Sequence, residues 1–214
     1  TNAQTLDGDT DMQPALVWTK CRSISTKSML YDSARAANFI QTEHTNAEQD
    51  GAAFFVSLDS DGFTFEGSDN SNNANAQTYV AWCWKESATS GFDIVSYTGT
   101  GSTQTVSHSL SAVPHLMILK ARDATKSWLV YHHKNTSAPE TEYLLLDGTG
   151  ATVDFANYFN DTAPTSSVFT VGTGSDANAD GDDFISYHWT SKQGFSKFGS
   201  YVGNGAADGT FVYT

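Results

Sequence analysis

Read along its hydrophobic and polar positions, the chain breaks into short runs that alternate with a period of two. In TYVAWCWK (78–85), Val80, Trp82 and Trp84 point one way while Tyr79, Ala81 and Cys83 point the other. Both faces are apolar, so the pattern predicts a central strand covered on both sides. DFISYHWT (183–190) repeats it, with Ile185, Tyr187 and Trp189 against Phe184, Ser186 and His188. ALVWTK from Ala15 and HLMILKA from His115 are apolar runs of strand length. AAFFVSLDSDGFTFEG (52–67) predicts a hairpin that turns at Asp59-Ser60-Asp61-Gly62. YLLLDGTGATVDF, from Tyr143, reads as strand and turn. Only the stretch from Ser33 to Glu48, with Ala34, Arg35, Ala36 and Ala37, invites a short helix. The expected fold class is all-β: packed antiparallel sheets in a β-sandwich.

The runs also come back in order. GFDIVSYTGTG (91–101) answers GFSKFGSYVGNG (194–205) at Gly91/Gly194, Phe92/Phe195, Ser96/Ser200, Tyr97/Tyr201, Gly99/Gly203 and Gly101/Gly205, with one residue inserted. PALVWTKCRSISTKSMLY from Pro14 answers PHLMILKARDATKSWLVY from Pro114, with Lys20/Lys120, Arg22/Arg122 and Tyr31/Tyr131 in step. GFTFEG (62–67) answers VFTVG (168–172), and Trp84 stands opposite Trp189. The offset drifts from 100 to about 106, a domain-sized period and too long for a solenoid unit. The expectation is a tandem duplication into two similar sandwich units of about 100 residues. The first covers 1–90 and is completed by the C-terminal segment 194–214; the second covers 91–193. That segment can close back within the chain, the arrangement favoured here, or add a strand to a neighbour; either covers an apolar sheet edge. Two simple consecutive units are the other arrangement.

Composition narrows the class further. Aromatics make up 13% and charged residues 16% of 214 residues, which argues against disorder. The net charge of −13, from 24 acidic and 11 basic residues, disfavours nucleic acid and anionic membranes as partners. No run reaches the roughly 18 apolar residues of a membrane-spanning helix. The opening at Thr1, without Met or a basic-apolar leader, suits a processed or partial chain. Cys21 and Cys83 are read as small buried hydrophobes, with a single disulfide as the alternative.

Candidate chemistry is sparse. DANADGDD (176–183) carries Asp176, Asn178 and Asp180 ahead of Gly181, the front of a calcium loop of EF-hand type. The bidentate acid is missing, since Tyr187 holds the twelfth position, and a solvated acidic turn is the alternative. Asp7, Asp9 and Asp11 form a second such acidic cluster, while Asp59 and Asp61 read as turn residues. The six histidines show no zinc spacing, and no nucleophile elbow is present. No enzyme is expected, and no cofactor beyond calcium. Trp82, Trp84 and Trp189 read as core layers. Trp18 and Trp128 do not coincide in the two copies, and are the candidates for a ligand- or receptor-contact face.

PALVWTKCRS, LYDSARA, LDSDGFTF, TYVAWCWK, GFDIVSYTGTG, VSHSLSAVPHLMILKARDATKSWLVYHH, TSSVFTVG and GFSKFGSYVGNGAADGTFVYT occur here in that order. Together, over nearly the whole chain from Pro14, they resemble a repeat domain of uncharacterised function from tail-fibre and other virion appendage proteins of bacteriophages, especially marine cyanophages. The resemblance implies a virion structural role in a tail fibre, appendage or capsid-surface decoration, and it brings no catalytic residues. Other virion proteins, further copies of the chain and a host cell-surface glycan are then the expected partners, at the particle surface. A carbohydrate-binding adhesin of a cell is the alternative function, and a polysaccharide depolymerase comes last.

Overall fold

The computed structural model describes residues 1–211. Residues with apolar side chains on both faces form its two large sheets. The first is built from β2 (Leu16–Cys21), β3 (Met29–Asp32), β4 (Ile40–Gln41) and β7 (Tyr79–Trp84), in the order β4-β3-β2-β7. Beside it lies a three-stranded sheet of β1 (Asn2–Thr5), β5 (Phe55–Asp59) and β6 (Gly62–Phe65), with β6 in the middle.

The C-terminal half follows with β8 (Phe92–Thr98), β9 (Gln104–Ser107), β10 (Leu116–Ala121), β11 (Leu129–His132), β12 (Glu142–Leu145), β13 (Val153–Asp154), β14 (Val168–Val171) and β15 (Asp183–Trp189). Six of these pair as β13-β12-β11-β10-β15-β8, and β14 pairs with β9. All the strand pairings are antiparallel. Two single-turn helices, α1 (Ala156–Phe159) and α2 (Ser175–Asn178), pack near β14 and β10.

Three apolar layers separate four stacked sheets. Val17, Met29 and Tyr31 meet Phe55, Phe63 and Phe65 between the two N-terminal sheets. Met117, Leu119 and Tyr131 meet Val106, Phe169 and Val171 between the two C-terminal ones. Leu16, Leu30 and Ile40 meet Phe92, Trp128, Ile185, Tyr187 and Trp189 between the two large sheets, so the halves share one core. Burial of this kind stabilises by about 25 cal/mol per Å² of apolar surface, and it explains why the inward residues of both large sheets are apolar on both faces.

The expected hairpin forms, with Asp59 opposite Gly62 across a two-residue turn. Gly62 is required there: its φ is +132°, and a Cβ would lie 1.9 Å from the Gln4 carbonyl oxygen on β1. Tyr143–Phe155 supplies β12 and β13, as the strand-and-turn pattern implied.

Two expectations fail. Residues 33–48 hold no helix; they are turns around β4, and Ala36 takes a φ of +53°. The cause is Arg35, whose side chain is drawn into the core and not displayed on a helix face. Among the described residues strand β7 is not central: it pairs with β2 alone. Of the C-terminal segment expected to close a sheet edge, 197–211 form no strand, and 212–214 lie outside the described residues.

Candidate functional site

The open edge of β7 is the most unusual surface of the molecule. Its partner β2 sits on one side, with Leu16 opposite Trp84 and Trp18 opposite Trp82, and nothing pairs with its other side among the described residues. Ala81 and Cys83 pack onto the layer containing Tyr31 and Phe63. Trp84 reaches the central layer, with its ring 5.8 Å from Trp189 and 6.3 Å from Phe92. Trp82 packs against Trp18 at 5.7 Å and remains 46% exposed. The Trp18 indole N–H, although buried, has no hydrogen-bond partner. Burial pushes the Cys83 thiol up to about 11.

A second apolar surface follows β15. After a turn closed by the backbone pair of Lys192 and Ser196, Phe198 docks on the central layer, its N–H donating to Ser191 Oγ at 3.1 Å. The remainder is exposed: Phe195 at 65%, Tyr201 at 71%, and Val202 and Phe211 beyond that.

Several interior charged groups are engaged with one another or with backbone carbonyls. Arg35 Nε donates to Asp32 Oδ2 at 2.7 Å, and Tyr187 donates its hydroxyl to the same oxygen at 2.5 Å across the two large sheets. Arg35 is held above its ordinary value: burial opposes its charge, and Tyr187, Asp32 and Glu48 more than offset that. Arg122 grips Glu48 with two hydrogen bonds, 2.9 and 3.2 Å, while Asn38 donates to it at 2.7 Å. Burial raises the Glu48 pKa, but these partners and Arg35 outweigh it, and the carboxyl sits below its usual range.

Lys120 is buried, with Nζ donating to the carbonyls of Ala121 and Ala124, and burial lowers it to about 8. Lys20 caps the Thr26 carbonyl in the same way. His188 is enclosed between Ser186 Oγ, 2.6 Å from Nε2, and the His108 ring; burial, with a smaller contribution from His108, pushes it down to about 3. The rings of His115 and His133 stack at 4.0 Å.

The residues singled out from the sequence are placed as follows. Asn178 is fully buried and its carboxamide is already used: it accepts from the Thr100 N–H and Gln104 Nε2, and donates to the Ser102 and Gly172 carbonyls. Asp176 accepts the Tyr158 hydroxyl, and Asp180 faces solvent. Short helix α2 thus carries Asp176 and Asn178 and turns the amide inward as a staple, away from Asp180. Among the described residues no group of three His, Cys, Asp or Glu side chains converges on one point. Asp7, Asp9 and Asp11 are exposed, and the Asp61 carboxylate accepts the Met12 N–H.

The receptor-contact assignment is corrected. Trp128 is fully buried and donates its indole N–H to the Gln41 and His44 carbonyls, tying the halves together. Trp18 is half-buried against the same core, and the exposed indole is that of Trp82, which the sequence placed inside. The Asp32–Arg35–Tyr187 and Glu48–Arg122 contacts were missed. Their one signal was Asp32 and Arg35 lying three apart among small residues, at the start of the stretch read as helix.

A family described as a domain of unknown function, DUF7483, matches residues 2–214. The chain belongs to the DUF7483 family. Comparison with curated proteins, and with solved structures, gives no match. In this DUF7483 chain the shared core, the bare β7 edge and the aromatic tail are therefore what function has to be argued from. No helix among the described residues is long and apolar enough to cross a membrane.

Proposed function

We propose that this chain is a non-catalytic structural protein of a bacteriophage virion, part of a tail fibre, appendage or capsid-surface decoration, built as a tandemly duplicated β-sandwich. The phrase-by-phrase resemblance to phage appendage repeats supports the virion setting. The matching strand orders β4-β3-β2-β7 and β12-β11-β10-β15 support the duplication. One observation carries the structural role: the apolar surface left uncovered is a strand edge with an exposed aromatic segment, a geometry for joining proteins rather than holding a small substrate. The buried Asp32, Arg35 and Lys120 side chains, by contrast, are committed to contacts inside the protein.

Quantitative mass spectrometry of purified particles tests the reading. Many copies per particle are expected. Recovery of the protein only from cell envelopes or culture medium would favour the cellular adhesin. Attachment to host glycans is an accessory role within the same reading, and Trp82 is the exposed indole able to stack on a sugar. A Trp82→Ala variant that keeps full binding on a glycan array removes that role.

A further inference from the structure

Among the described residues the C-terminal large sheet has two strands more than the N-terminal one, β13 at one edge and β8 at the other, and the counterpart of β8 has a sequence. In the C-terminal half, β8 covers β15 from Phe92 opposite Trp189 to Tyr97 opposite Phe184. Both ends of that pairing are aromatic contacts, with Phe92–Trp189 at 5.0 Å and Tyr97–Phe184 stacked at 5.1 Å. The counterparts of Trp189 and Phe184 on β7 are Trp84 and Tyr79, and those of Phe92 and Tyr97 are Phe195 and Tyr201. The strand that would complete the first sheet is therefore present in the chain, with both aromatics in step, yet Phe195 and Tyr201 stand in solvent and no described residue pairs with the outer edge of β7.

From this we infer that residues 195–201 of one copy, with Phe198 released from its own central layer, add as an antiparallel strand to β7 of a second copy. Phe195 lies against Trp84 and Tyr201 against Tyr79. The span 195–201 holds one residue more than 92–97, so the added strand carries a β-bulge. A second copy is preferred to the chain's own tail because of the connection. The first half takes residues 85–91, seven, to pass from Trp84 to Phe92; the second has residues 190–194, five, between Trp189 and Phe195. A shorter hinge favours an exchanged strand over an intrachain one. Each copy then offers one donor strand and one acceptor edge. The inference rests on the duplication in the proposed function and not on its virion setting.

Sedimentation of the full chain over a wide concentration range tests it, together with two variants at exposed positions. Ser200→Pro removes a backbone donor from the tail, and Trp82→Lys places a charge on the edge, the device by which natural sheets refuse an added strand. The wild-type chain is expected to grow from monomer to dimer or longer as concentration rises. Each variant alone stays monomeric, and mixing the two gives a heterodimer, because one keeps the edge and the other the tail. A synthetic peptide of residues 194–211 should bind the wild-type chain, slow amide exchange at 79–84 and dissociate its multimers; this arm stands even if Trp82→Lys folds poorly. The inference is overturned by a wild-type monomer at every concentration, by association that survives both variants, or by a peptide that does not bind. Any of these leaves the particle-stoichiometry test of the virion setting intact.

Discussion

Strand β15 lies between β10 and β8, and every side chain from Phe184 to Trp189 is buried; strand β7, among the described residues, lies beside β2 alone, and every side chain from Tyr79 to Trp84 keeps some exposure. The two strands carry nearly the same alternation, and each ends on a tryptophan that meets the other across the central layer. What separates them is a neighbour. The comparison teaches that side-chain pattern records which faces are covered, while pairing at the strand's edge is decided by a segment elsewhere in the chain.

The strongest way to break the comparison is to truncate the matched positions. Trp189→Ala empties a site between Phe92, Trp84 and Tyr187, and should cost about 3–5 kcal/mol in urea unfolding. An equal cost from Trp82→Ala would mean the edge is not open.

Acid comes next. The folded value for His188 is depressed to about 3 from 6.5, so the fold requires the neutral ring. Stability is unaffected above 6.5 and is lost as pH falls from 6.5 towards 3, because the unfolded chain takes up the proton first. The loss is about 1.4 kcal/mol per pH unit from this group, with His108 and the β8 carboxylate Asp93 as its charged neighbours. Glu48, held below its usual range, adds to the loss at the acid end. Urea melts across that range should show the slope, and His188→Gln should flatten it. Cys83 holds the corresponding place on β7 and contributes none of it.

Cys83 gives a gentler test. With its thiol raised to about 11, alkylation in a Cys21→Ala background should quicken about tenfold per pH unit through neutral and mildly alkaline pH, without a plateau. A plateau near neutrality would mean that β7 leaves this thiol in water. The smallest effect belongs to Trp82→Ala, under about 1 kcal/mol in the dilute chain, since much of the indole is already in water.

Much of this architecture was legible in advance, for physical reasons. Strands β2, β7, β10 and β15 announce themselves because residues buried on both faces must be apolar on both. The β5–β6 hairpin announces itself because Gly62 and its Asx neighbours suit a tight turn. Strand β1 had no such signal: its four residues, Asn2–Thr5, are exposed and held by backbone pairing to β6. The helix expected at 33–48 failed because alanine spacing is blind to a salt bridge that draws Arg35 inward. Trp128 looked peripheral because its counterpart is not aromatic, whereas its place is fixed by carbonyl partners more than eighty residues away. Asn178 fitted a metal loop by spacing alone, and geometry gave it four partners within the protein.

The phenol of Tyr187 completes the Asp32–Arg35 pair from 155 positions further along the chain. On a ribosome adding about 5–20 residues per second, that partner emerges roughly ten to thirty seconds after the carboxylate it must meet. Until then the nascent N-terminal half holds a charged pair and an apolar sheet face without their cover, so synthesis itself has a window in which a chaperone, or a neighbouring nascent chain, can reach that face before the protein's own second half does.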